Sequence, residues 1–403
     1  MGRGLRVEGS VSERTDRSVA SHRRPLSRWE RAGLSVRSRM GGARPARGGR
    51  GRAPALLVLI GLLLSACQSA PRLEPRSLPV PTAPAASPTA AAAVSLPRDD
   101  APHDQLSEWW YYTGHLDAAS GASYGFELVV FQSIRGRGPV GYAAHYAITD
   151  QARGRFVYDQ RTAVGSQIGK ADSFDLALGD WRMRGSGGRD QLSASLPGYA
   201  IDLALQSQKP AALHDQDGLV SFGPAGDSYY YSRTRMDVAG SIAIDGRAEP
   251  VTGLAWFDHQ WGNFVVAGGG WDWFSLQLDD RTEIVGQVIR DDRGGPISTY
   301  GTYVDAEGRT THLGPEQFEA ISSERWTSPT TGVTYETRWR VHLPGPGVDL
   351  DVRAVLPNQE LDTRPTTGVV YWEGAVRALG TSGGRPVGGR GYVELAGRQP
   401  SVR

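Results

Sequence analysis

From residue 101 onward the chain alternates apolar and polar positions with a period of two. Phe174, Leu176 and Leu178 are separated by Asp175 and Ala177, and Ile201, Leu203 and Leu205 by Asp202 and Ala204. Successive side chains of a strand point to opposite faces, so each run predicts a half-buried strand. The runs Phe274, Leu276, Leu278 and Trp339, Val341, Leu343 continue the pattern, with turn clusters such as DDRGG and RGSGGRD outside them. No long helical period competes with it. Short strands spread over roughly 300 residues predict an all-β body with more strands than one ordinary barrel uses.

An internal echo points to two copies of one plan. WWYYTGHLD (109–117) aligns without gaps on WDWFSLQLD (271–279), sharing Trp, Leu and Asp. Each is followed by a turn and a second apolar strand, YGFELVVF or EIVGQVI, and then by a Tyr-rich segment ending in Asp150 or Asp305. The repeat predicts a first barrel over 101–264 and a second over 265–403.

Composition supports this and excludes other classes. The 52 glycines suit turns between strands better than helix interiors. Residues 1–66 hold 14 Arg against 4 acidic residues, which leaves 30 basic and 39 acidic side chains from Cys67 onward. A net-negative body with only Lys170 and Lys209 as lysines offers no basic stripe for a phosphate backbone, so nucleic-acid binding is not expected.

The basic start runs into PALLVLIGLLLSAC, an apolar stretch too short to span a bilayer and suited to a signal-peptide core. Leu64-Ser65-Ala66-Cys67 resembles the bacterial lipobox, in which the cysteine is lipidated after cleavage. The expectation is a removed signal region over 1–66, with Met40 as an alternative start, and a lipid anchor on Cys67, the only thiol. Gln68 in place of Asp implies, by that resemblance, the periplasmic face of the outer membrane. Residues 67–100, rich in Pro, Ala and Ser, read as a flexible tether.

Several literal motif matches fail in context. GRGPVG (136–141) has dinucleotide-type glycines but leads into a strand, and GTSGG (380–384) has nucleophile-elbow spacing with no helix to follow. The histidines stand singly, without metal-ligand spacing, so no metal site and no cofactor are expected.

What remains is a set of segments in which aromatic and titratable residues cluster: SEWWYYTGH (107–115), SYYYSRTRM (228–236), GLAWFDHQWGN (253–263), WDWF (271–274) and VVYWEGAV (369–376). On strands, Glu108, Trp110 and Tyr112 share one side, Tyr229 and Tyr231 share one side, and His259 shares a face with Phe257 and Trp261 but not with Asp258.

EWWYYTGHL, YGFELVVFQ, SYYYSRTRM, the W-x-DH-x-W run and YWEGAV followed by GRGYVEL, in that order over residues 100–397, resemble the family that unites carotenoid 1,2-hydratases with AttH-like secreted proteins. The resemblance implies two lipocalin-like antiparallel β-barrels in tandem. It places catalytic weight on His259, Asp258 and Trp261, although Gln260 stands where an acidic residue is common. The chemistry it implies is cofactor-free addition of water to an alkene of a polyene or lipid-like ligand. That needs a proton donor, a surrounding that tolerates a carbocation, and a base for the water. Trp261, Trp110 and Tyr112 supply aromatic faces, and Glu108, Tyr229 and Tyr231 complete the candidate ligand-binding set. The alternative is a non-catalytic carrier of a hydrophobic small molecule, or an accessory lipoprotein of an ABC transporter. Against a catalytic role for every aromatic, Trp109, Trp110, Trp256, Trp271 and Trp273 suit barrel core and inter-barrel packing.

Overall fold

The computed structural model describes residues 94–398 apart from 137, 167–168, 222–225 and 265–268. The signal region, Cys67 and residues 68–93 of the expected tether lie outside the described residues. The fold is all-β, with one short 3-10 turn at Arg98–Asp100 among the described residues.

Strands Ser107–Ala118, Ser123–Ser133, Val140–Asp150 and Arg155–Gly165 form an antiparallel meander. On its other edge Ser107–Ala118 pairs with Arg247–Gly262. The 13-stranded sheet then continues through Asp227–Ile244, Tyr199–Ser207, Arg189–Leu196, Trp181–Ser186 and Ser173–Leu178. The second, 10-stranded sheet repeats the plan. Its first strand, Gly270–Leu278, lies between the second, Glu283–Arg290, and the last, Arg385–Ala396. Beyond them lie Pro296–Val304 and Thr310–Leu313 on one side, and Val370–Ser382, Val348–Ala354, Thr334–Leu343 and Glu319–Thr327 on the other. The two aligned nonapeptides therefore occupy equivalent strands. The first sheet curls into a nearly closed barrel and the second into a half-barrel, a tandem lipocalin-like architecture.

Burial explains where the period of two is clean. Tyr199–Ser207, in the wall of the first barrel, alternates buried and exposed positions. Ser107–Ala118, Ser123–Ser133 and Gly270–Leu278 are buried on both faces, because one face fills a barrel and the other packs in the seam between the two sheets. Trp110, Tyr112, Phe126 and Phe257 belong to the first core, and Phe274, Leu276, Trp339 and Trp372 to the second. Tyr111, Trp256, Trp273 and Tyr392 form the seam cluster. A buried ion cluster joins the sheets there: Glu283 accepts from Lys209 Nζ at 2.7 Å and from Arg235 Nε at 2.5 Å.

Residues 94–100, at the end of the segment whose composition reads as a tether, are built into the first barrel. Val94 is buried against Gly218, whose φ of +90° no other residue adopts easily. The Asp99 carboxylate accepts the Ser95 amide at 2.7 Å, and Asp100 is fully buried. A buried carboxylate needs charged or hydrogen-bonding partners, and the barrel interior supplies them to Asp100.

Candidate functional site

Strand Arg247–Gly262 runs between Ser107–Ala118 and Asp227–Ile244. In register, His259 stands opposite Trp110 on one side and Tyr231 on the other, and Trp261 stands opposite Glu108 and Tyr229. Cross-strand neighbours share a face, so three strands bring all of these side chains, with Tyr112 and Phe257, to the interior of the first barrel. His259, Trp110 and Tyr231 are fully buried.

A line of polar contacts runs through this face. His103 Nδ1 and His259 Nε2 each lie 2.8 Å from Glu108 Oε1. Glu108 Oε2 accepts the His103 amide at 2.8 Å and Gln132 Nε2 at 2.9 Å. Four groups thus face the two Glu108 oxygens, and acceptance there assigns the His259 ring proton to Nε2. His259 Nδ1 faces the Tyr231 hydroxyl at 3.3 Å. That hydroxyl donates to Asp100 Oδ1, and Asp100 is ion-paired with Arg233 through contacts of 2.9 and 3.1 Å. The outer end is His103, whose side chain retains 20% exposure and is thus the member of the line that meets solvent.

Aromatic rings enclose the line. The His259 ring stacks on Trp110 at 4.7 Å and lies 4.7 Å from Trp261. Tyr229 stacks on Trp261 at 5.5 Å, and Tyr112 lies 4.5 Å from Phe257. Burial lowers the His259 pKa, opposed by Glu108, so the ring is neutral and able to accept a proton. Burial likewise raises Tyr231 well above its ordinary value, with Arg233 opposing. Deeper in, Asp190 is raised to about 6 by burial while Arg233 pulls it down. Its Oδ2 accepts the Tyr112 hydroxyl at 2.9 Å.

The structure does not bring Asp258 together with His259. Adjacent residues of a strand point through opposite faces, which sends Asp258 into the seam. There it accepts from Tyr230 at 2.5 Å, from Trp256 Nε1 at 2.6 Å and from Ser232. Burial raises its pKa to about 6, with those donors opposing. Asp258 thus lies on the seam face and His259 on the barrel face, the separation that the two-residue repeat predicts.

Sequence reasoning missed Asp100, His103, Gln132 and Asp190, and read Arg233 only as an ion-pair residue. The aspartate pair that closes a Pro/Ala/Ser run, and the arginine two residues after Tyr231, were the available signals. Nothing local said that they meet.

His103, Glu108 and His259 could also hold a metal ion, since their ligand atoms lie within 4.8 Å of one another. Their present spacing is that of hydrogen bonds, with both imidazole N–H groups directed at one carboxylate oxygen. A cation would have to replace both protons, so the donor set fits a proton line better than a ready metal centre.

The AttH-like family pattern matches residues 87–398. The chain belongs to the AttH-like family. A crystal structure assigned as an AttH from Nitrosomonas europaea is 32% identical to this AttH-like chain, covers 76% of it and 98% of its own length, and superposes with a TM-score of 0.69. Kievitone hydratase of Fusarium solani subsp. phaseoli is 23% identical over 59% of this chain and 69% of its own length. The crystal structure of kievitone hydratase from Nectria haematococca shares the fold at 19% identity and a TM-score of 0.62, covering 78% of this chain and 95% of its own.

Proposed function

We propose that this AttH-like protein adds water to an isolated alkene of an apolar, isoprenoid-type substrate inside its first barrel, using no cofactor. The observation that carries this reading is the line His103–Glu108–His259–Tyr231–Asp100 set among Trp110, Trp261 and Phe257. Kinship with kievitone hydratase supports the reaction class.

The chemistry follows from the groups present. Protonation of the less substituted alkene carbon leaves a tertiary cation, which the ring faces of Trp110 and Phe257 stabilise by cation–π attraction in a dry surrounding. Water adds to the cation. His259 takes the surplus proton at Nδ1 while its Nε2–H stays on Glu108, the arrangement by which a carboxylate orients and supports a neutral imidazole base. The His259 proton returns to solvent as product leaves, on the side where His103 is part-exposed. Trp261, beneath His103 and beside Tyr229, holds the substrate against this face.

The same proposal places the protein on the periplasmic face of the outer membrane, anchored through a lipidated Cys67, where a membrane-soluble polyene or prenylated ligand is at hand. An ABC transporter is a partner consistent with such an anchor.

Incubating the purified protein with lycopene or with kievitone in oxygen-labelled water tests the reading. The expected result is an alcohol bearing the label, lost in His259→Ala. Either compound bound but chemically unchanged in both proteins would favour a carrier and overturn the hydratase.

A further inference from the structure

Two carboxyl groups share the field of Arg233 and are treated unequally. Asp100 receives both guanidinium contacts, the Tyr231 hydroxyl and the Gly187 amide at 2.7 Å. Asp190, on strand Arg189–Leu196, receives only the Tyr112 hydroxyl among the described residues, and its buried Oδ1 has no partner among them. A buried anion with half its acceptor sites empty is unfavourable, whereas a neutral acid carries on that oxygen a proton free to be given away.

The slot for this carboxyl is built into the sheet. Asp190 stands opposite Gly185 in register, and a Cβ at 185 would collide with Asp190 Oδ1 and crowd the Phe174 ring at 2.8 Å. The hydroxyl end of Tyr112 lies at Asp190, and its ring lies 4.5 Å from Phe257, which in turn lies 6.2 Å from His259. Aromatic faces thus connect the two polar stations. When two titratable groups have environments that separate their protonation states, acid and base roles follow from that separation.

We propose that Asp190 is the general acid of this hydration, giving its proton to the alkene carbon while His259 deprotonates the water. The inference rests on the hydratase reading above. The Asp190 O–H bond breaks as the π pair forms the new C–H bond. The water oxygen then bonds to the cation and loses its proton to His259. Asp190 ends as a carboxylate and His259 as an imidazolium, and both exchange protons with solvent as product leaves, so that the net reaction is alkene plus water to alcohol.

Turnover of lycopene or kievitone by the full chain, and the infrared carboxylic-acid band, test this together. The wild-type rate is expected to fall about tenfold per pH unit above about 6, the value to which burial raises Asp190. Asp190→Asn is expected to lose about 100-fold or more in kcat with KM little changed. Infrared difference spectra between pH 5 and pH 8 should show acid-band intensity in the wild type, part of it from Asp258 and the seam glutamates, and Asp190→Asn should lose one component of it. Asp190→Asn turning over at the wild-type rate, or showing the wild-type band unchanged, overturns the assignment and leaves the hydratase reading standing. A wild type that turns over neither probe overturns both. If Asp190→Asn does not fold, the wild-type pH profile decides alone: a rate flat from pH 5 to 8 overturns the assignment.

Discussion

The imidazole of His103 lies flat on the indole of Trp261, with ring centroids 4.0 Å apart and planes 1° from parallel. His103 belongs to the segment that enters the first barrel and Trp261 to the last strand in sequence of the same sheet, which lies in its middle, so the stack fixes the entering chain across the candidate site. It also sets the angle at which His103 Nδ1 meets Glu108. His103→Ala is expected to cut kcat by about 100-fold, within the range for a lost proton-transfer group, with a smaller change in KM. Added imidazole is expected to restore part of the rate in that variant. Steady-state kinetics with and without imidazole check both points.

The Asp100–Arg233 pair carries a stability prediction. Both members are almost fully buried, and removing one charge leaves the other unpaired inside the barrel. Asp100→Asn should cost about 3–5 kcal/mol in urea unfolding. It should also release residues 94–106, which limited proteolysis followed by mass analysis would show as early cleavage there. Replacing the pair together, as Asp100→Leu with Arg233→Met, should cost much less than either single change.

The seam between the sheets predicts a pH dependence of opposite sign to ordinary acid denaturation. Glu127, Glu373 and Glu394 are raised by burial, and Glu394 reaches about 7. Glu373 accepts from Tyr111 at 2.7 Å and Glu127 from Tyr371 at 2.9 Å, and each keeps one buried oxygen without a partner among the described residues. Acids with a raised folded-state pKa hold more protons in the native chain than in the unfolded one. Their contribution is therefore complete below the ordinary carboxyl value of about 4.5 and is lost as pH rises through 7 and above. Glu127→Gln should raise Tm at pH 8 relative to wild type and change it little at pH 5. Thermal melts at the two pH values decide the matter; an equal effect at both would mean that Glu127 is not protonated in the fold.

Metal addition gives the last prediction. Zn2+ placed at His103, Glu108 and His259 would take the ring nitrogens that the proton line needs. Activity is expected to survive chelator treatment and to fall on adding Zn2+, with His103→Ala less sensitive to the ion. Loss of activity on chelation, restored by metal, would assign these residues to a metal centre instead.

Alternation along the chain was enough to place the strands and to sort their faces. Glu108 falls with Trp110 and Tyr112, and His259 with Trp261 and apart from Asp258, because the direction of a side chain on a strand depends only on its position in a two-residue repeat. The repeat of 109–117 at 271–279 likewise carried the tandem plan, since equivalent strands need equivalent aromatic faces. Clean alternation fades where strands are buried twice. There the sequence alone shows aromatic and acidic residues at every position without saying which enter the barrel and which the seam. The partners of Asp100, His103, Asp190 and Arg233 were decided by the tertiary structure alone. Closing the first sheet carries the turn beside Gly187 and the entering segment to the end of the barrel, where an otherwise costly buried charge finds its counter-charge. Such contacts join residues that no local period relates, so only the folded chain specifies them.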